Sequence, residues 1–216
     1  SDDEVFIEPE RKTFATPWRL PPAKPLPGSL MPQDTTEADE EVEFYWVGTD
    51  ARIAGTIVHR WLQILAEGRG SLDGDDVQAE RIVTRRWLRE MGLGDDLQRG
   101  IVERVEAALA GVRRDPKGRW ILEGDGHAEL ALTGQVDGSI ESVVLDRVRI
   151  DERGVHWIID YKTSTHEGGN LQGFLNAEIE RYTPQLDKYA SIYGAFAGTR
   201  PRCALYFPLL QEFVEI

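Results

Sequence analysis

Trp157-Ile-Ile-Asp-Tyr-Lys-Thr163 places a carboxylate and an amine two residues apart inside an apolar run. In a strand, alternate side chains share a face, so Asp160 and Lys162 project together. A charge buried in such a run has to be paired or bound to a metal. Asp160 has the chemistry of a hard-cation ligand, and Lys162 that of a group that steadies a hydroxide or a phosphate oxygen. Asp-x-Lys on its own is equally an ordinary ion pair at a strand end. The preceding run, Val143-Val-Leu-Asp-Arg-Val-Arg-Ile150, carries a second acid, Asp146, between apolar residues. Folding the two runs about a turn near residue 153 sets Asp146 and Asp160 nearly opposite each other. Two facing carboxylates repel unless a cation or a proton lies between them.

Three further places bear on that pair. His59, in Gly55-Thr-Ile-Val-His-Arg-Trp61, has a side chain common among metal ligands, although a histidine on a helix is more often packed or capping. Tyr182, Gln185 and Tyr189 recur at spacings of three and four and share one helix face. Their amide and phenols suit contact with a phosphate or orientation of the lysine, but tyrosines at that spacing equally belong to a core. Asp137, in Gly134-Gln-Val-Asp-Gly138, is read as a turn residue because of its glycine neighbour. His127, His156 and His166 are read as surface or turn residues.

The elements that must position these groups follow from the hydrophobic period. Residues 1–48 hold Pro17, Pro21, Pro22, Pro25, Pro27 and Pro32 and an acidic stretch from Glu37 to Glu43, which predicts an extended arm or linker. Residues 49–216 form the folded domain. From residue 51, Ile57, Trp61, Leu62 and Leu65 recur at helical spacing. Further helices are expected over 76–91 and 96–112, with Asp115-Pro116 as a break. The period then changes to strands over 127–136, 140–150 and 155–163, with a hairpin turn at Asp151-Glu-Arg-Gly154. A long helix over 177–196 and a last strand over 203–207 complete an α/β fold with a mixed sheet: three-strand meander, helix, strand, behind an N-terminal helical part.

Together the motifs resemble the RecB-type nuclease family of the PD-(D/E)XK superfamily. They are Gly55 to His59, Leu145-Asp146-Arg147, Asp160-Tyr-Lys-Thr163 and Gln185 to Tyr189, in the family's order, and the resemblance runs from about residue 50 to the end. It implies a site in which His59, Asp146, Asp160 and the backbone carbonyl of Tyr161 hold Mg²⁺ or Mn²⁺. In that site Lys162 positions the attacking water or stabilises the developing charge, and Gln185 and Tyr189 orient the lysine and the strand. The implied activity is phosphodiester hydrolysis by a deoxyribonuclease, as an exonuclease, in double-strand break repair and recombination. The chain further resembles the C-terminal part of a bacterial UvrD/Rep-like helicase–nuclease. That implies single-stranded DNA fed by a helicase motor, upstream helicase domains, and a second helicase–nuclease subunit as a further partner.

Composition sets limits on this reading. The 216 residues are 41% hydrophobic and 29% charged, enough for one substantial core. The only cysteine, Cys203, rules out an internal disulfide and the four-cysteine iron–sulfur clamp of some relatives, so the expected cofactor is a divalent cation alone. No apolar run approaches a membrane span, no signal-peptide pattern opens the chain, and a cytoplasmic setting without a membrane is expected. No Gly-x-x-x-x-Gly-Lys-Ser/Thr loop occurs, so the chain has no ATPase motif of its own. The net charge of −13 opposes DNA binding unless a local basic strip, divalent cations or a motor compensates. It also suits two competing readings, a catalytically silent nuclease-fold module that binds DNA and a module that docks a partner.

Overall fold

The computed structural model describes residues 35–166 and 168–216, with side chains from residue 50 onward. Five helices and five strands follow in the order α1 (Thr35–Ala66), α2 (Val77–Glu90), α3 (Asp95–Arg114), α4 (Pro116–Leu122), β1 (Gly126–Val136), β2 (Ser139–Ile150), β3 (His156–Tyr161), α5 (Leu171–Ala197), β4 (Arg202–Phe207) and β5 (Glu212–Glu215). The strands form one sheet in the order β1-β2-β3-β4-β5. Only β3 and β4 run parallel, and α5 supplies the crossover that a parallel pair requires. This is the expected mixed α/β architecture.

Two glycine turns set the registers. Asp137 and Gly138 both have positive φ, 49° and 83°, as a two-residue turn of the primed type demands. The turn reading of Asp137 therefore holds, and it fixes Ala128 against Arg147 and Leu130 against Leu145. At the next hairpin Asp151 accepts hydrogen bonds from the backbone N–H groups of Arg153 and Val155, and Gly154 takes the left-handed conformation. Arg147 then lies opposite Ile159, and the same register continued by one residue sets Asp146 across from Asp160.

The sheet carries a core on each face. Trp157, Ile159 and Tyr161 of β3 join the cluster under α1, α3 and α4, with Ile57, Leu62, Val105 and Leu109. Ile158 joins the opposite cluster under α5, with Leu186, Leu205 and Phe207. Central strand β3 is buried almost throughout, as its apolar run predicts.

Three boundaries differ from expectation. Residues 35–48 lie in α1 and not in an extended arm: no proline falls between Pro32 and the end of α1 at Ala66, so no ring interrupts the helix. The remainder of the proposed arm, residues 1–34, lies outside the described residues. Asp115-Pro116 ends α3 but also starts α4. The Asp115 carboxylate accepts from the N–H groups of Lys117 and Gly118, and proline sits where no backbone donor is needed. Cys203–Phe207 is not the last strand, because the chain turns back through Gln211, at φ 56°, and pairs β5 with β4.

Two arginines on β2 lock α4 to the sheet. Arg147, 1% exposed, donates to the carbonyls of Ile121 and Gly124, and Arg149 donates to that of Trp120. These carbonyls at and just beyond the C-terminal end of α4 lack helical partners, and cations there are favoured by the dipole.

Candidate active site

Beyond the Arg147–Ile159 pair, β2 and β3 stop pairing through backbone alone. The N–H of Tyr161 donates 2.8 Å to Oδ2 of Asp146, and the N–H of Lys162 donates 2.8 Å to the carbonyl of Tyr206 on β4. Strand β3 thus turns its end from one neighbour to the other, and Asp146 fills the gap. His59 reaches the same place from α1. Its Nδ1 stands 3.4 Å from Oδ1 of Asp146, and its Nε2 stands 3.1 Å from the carbonyl oxygen of Tyr161. Gly55, one turn earlier, lets the helix come this close. A Cβ there would meet the Thr163 hydroxyl at 2.9 Å. The Gly-x-x-x-His spacing therefore has a steric reason.

The sequence reading missed Glu129. It stands in β1 between the Ala128–Arg147 and Leu130–Leu145 pairs, hence facing Asp146, with a left-handed φ of 50°. One donor atom each from His59, Glu129 and Asp146 lie within 4.8 Å of one another. An acid on the polar side of an alternating strand looks solvated in sequence. The signal that finds it is the Asp137-Gly138 turn, because folding about it sets residue 129 opposite 146.

Asp160 lies on the other side, toward α5. Its Oδ1 accepts 3.1 Å from Nε2 of Gln185, which also donates 2.6 Å to the hydroxyl of Tyr189. Its Oδ2 forms a largely buried ion pair with Lys162, 2.7 Å from Nζ. Gln185 and Tyr189 therefore hold Asp160 on β3, and touch the lysine only through that carboxylate. Tyr182 meets the lysine directly, with the Lys162 ammonium 3.5 Å from its ring centroid. From α3, Arg104 donates 2.8 Å to the carbonyl of Thr163 and pins the chain just past the lysine. His156 and His166 are half-buried, on Tyr193 and Phe174 respectively, and only His127 is exposed as expected.

The electrostatics are those of crowded acids. Burial, then the charge of Asp146, push the Asp160 carboxyl above the usual carboxylate range, against the pull of Lys162 and His59. Burial and Asp146 do the same to Glu129. Burial lowers the His59 imidazole, but the hydrogen bond and charge of Asp146, with Asp160 and Glu129, outweigh it and raise the pKa. The donors gathered here are several carboxylate oxygens, a carbonyl oxygen and one imidazole, a set that suits a hard divalent cation.

A comparison with curated proteins gives no match. The family model of the PD-(D/E)XK nuclease superfamily matches residues 46–214, from within α1 to β5. Asp146, Asp160 and Lys162 fall inside that match, on two neighbouring strands of the mixed sheet, and the chain belongs to the PD-(D/E)XK nuclease superfamily.

Proposed function

We propose that the chain is the nuclease domain of a helicase–nuclease, hydrolysing single-stranded DNA as an exonuclease during double-strand break processing, with Mg²⁺ or Mn²⁺. The observation that carries this is the meeting of His59, Glu129, Asp146 and the Tyr161 carbonyl, with the Asp160–Lys162 pair on the adjoining strand. Repelling carboxylates with raised pKa values are costly in a structural role and are expected where a cation binds. His59, Asp146, Asp160 and the carbonyl of Tyr161 hold the metal in this proposal, with Glu129 as an added carboxylate. The bound cation supplies activation of water and neutralisation of phosphate charge.

The chain's own residues do the rest. Gln185, with Tyr189 beside it, and Lys162 fix the Asp160 carboxylate from its two oxygens, so the group keeps one direction. Lys162, seated on Tyr182, presents an ammonium where negative charge develops on a phosphoryl oxygen. An upstream motor and a partner subunit fit the net charge of −13, because an acidic domain gains little from counterion release and benefits from delivered DNA.

The test is cleavage of end-labelled linear single-stranded DNA with Mg²⁺ or Mn²⁺ at low salt, beside Asp160→Ala and a circular single strand. Cutting of the linear strand by the wild type alone supports the proposal. Cutting of the circle refutes the exonuclease part, and an equal rate from Asp160→Ala refutes the site. Failure of both to cut, with no Mn²⁺ binding by calorimetry, leaves a docking module.

A further inference from the structure

Two cavities flank the carboxylates, one of about 570 Å³ against α1 and one of about 600 Å³ against α5. Both are lined by Val144, an exposed residue on β2 two positions before Asp146, so they are the two ends of one groove. The α1 wall has a regular composition. Gly55 and His59 form the row that meets the acids. The neighbouring row, Arg52, Thr56, Arg60 and Gln63, lines the cavity at spacings of four, four and three. Among the described residues no carboxylate pairs with Arg52 or Arg60, which is equally true of Arg85, Arg89, Arg99, Arg114, Arg153 and Arg200. What sets Arg52 and Arg60 apart is their place, on the wall of the cavity that His59, Glu129 and Asp146 also line.

Arg60 is also held in place. Its guanidinium lies 4.0 Å from the ring centroid of Trp87, which fixes its plane and leaves its N–H edge free. Eight residues of helix separate Arg52 from Arg60 by about 12 Å, enough to meet successive phosphates of one strand. On the far wall Arg181 and Lys188 line the other end, although Lys188 is tied 2.7 Å from Glu141 and Arg181 lies 3.8 Å from Glu178. Within the two cavities, the cations without an acid partner are therefore Arg52 and Arg60 on the α1 wall.

We infer that the α1 row Arg52-Thr56-Arg60-Gln63 is the phosphate-binding track that seats the backbone of a single nucleic-acid strand beside the acidic site. This rests on the nuclease reading of that site and assigns its substrate grip to one helix face. A guanidinium that contacts phosphate releases a counterion, so binding must weaken with salt, by a slope near 0.7 per contact on single strands.

The test is fluorescence anisotropy of the 216-residue chain with labelled oligo-dT and Ca²⁺, across a salt series. Arg52→Ala and Arg60→Gln are each expected to weaken binding about tenfold and to lower the salt slope by about 0.7. Arg114→Ala, on the exposed side of α3, serves as the control and should change neither. Arg52 is itself exposed, so its variant keeps the core intact even if Arg60→Gln disturbs Trp87. Slopes equal to wild type in both variants overturn the track, as does an equal loss from Arg114→Ala. Metal-dependent cutting that survives in that case leaves the nuclease reading standing, while loss of cutting in the wild type alone would strike that reading and not the track's binding signal.

Discussion

Asp146→Asn separates metal binding from folding at one atom. In the wild type, Mn²⁺ at about a hundred times its dissociation constant stabilises the folded state by about 2.7 kcal/mol. For a domain of this size each kcal/mol moves Tm by roughly 2–4 °C, so the expected rise is about 5–11 °C. Asparagine keeps an oxygen to accept from the N–H of Tyr161, which preserves the end of β3. It removes the charge that Glu129, Asp160 and His59 all feel. Removing only a supporting partner of a metal ligand typically costs 10–100-fold in affinity, so losing a ligand costs at least about 100-fold. At the same Mn²⁺ concentration the stabilisation then falls to about 0.4 kcal/mol, or about 1 °C. Without metal, the variant gives up a partly buried pairing with His59 and is relieved of the repulsion from Glu129 and Asp160, so its Tm stays close to that of the wild type. Differential scanning fluorimetry with and without Mn²⁺ reads all four states. A full metal shift in Asp146→Asn would refute the ligand assignment. A metal-free variant several degrees below wild type would refute the repulsion argument.

Other outcomes follow from neighbouring contacts. Lys162→Met should keep the Mn²⁺ shift and lose about 10²–10³ of the cleavage rate, because the ammonium acts on developing charge; a variant that also lost the metal shift would show the lysine organising the ligands. Without metal, stability should fall as pH rises from about 6 to 8 in the wild type relative to Asp146→Asn. The raised His59 pKa gives a contribution that is complete below its unfolded value of about 6.5 and lost as pH passes the folded value, and raised carboxyl pKa values act in the same direction. Identical pH profiles in urea melts of the two proteins would contradict this. Gly55→Ala should not give the roughly 1 kcal/mol gain usual for glycine in a helix, because its Cβ would press on Thr163. The gain should appear in the Gly55→Ala/Thr163→Ala pair, and its appearance in the single variant would show that α1 does not need the close approach.

Much of this site was readable because its parts lie on regular elements. The alternation in β3 paired Asp160 with Lys162, and counting from the Asp151–Gly154 turn brought Asp146 opposite Asp160. His59 followed from a helical period that the buried Ile57, Trp61, Leu62 and Leu65 bear out. What escaped was set by tertiary context. Glu129 sits at an irregular backbone position whose polar neighbours suggest solvent. Tyr182 and Gln185 share a helix face, yet only the path of α5 across the sheet decides that one takes the lysine and the other the aspartate. Short α4 and β5 have too few residues to show a period, and each depends on a cap or a tight turn. The net charge pointed away from nucleic acid because a sum over the chain hides where unpaired cations sit.

The Tyr161 N–H bonded to the Asp146 carboxylate has a bearing on assembly as well as structure. Strand side chains alternate, so a slip of one residue between β2 and β3 would send Asp146 to the opposite face of the sheet. The same slip would deprive that N–H of its acceptor and separate the two aspartates. A molecule caught in the wrong register during synthesis therefore lacks the means to bind the cation. Assembly of the cation site, and with it nuclease competence, is thus tied to correct pairing of the hairpin.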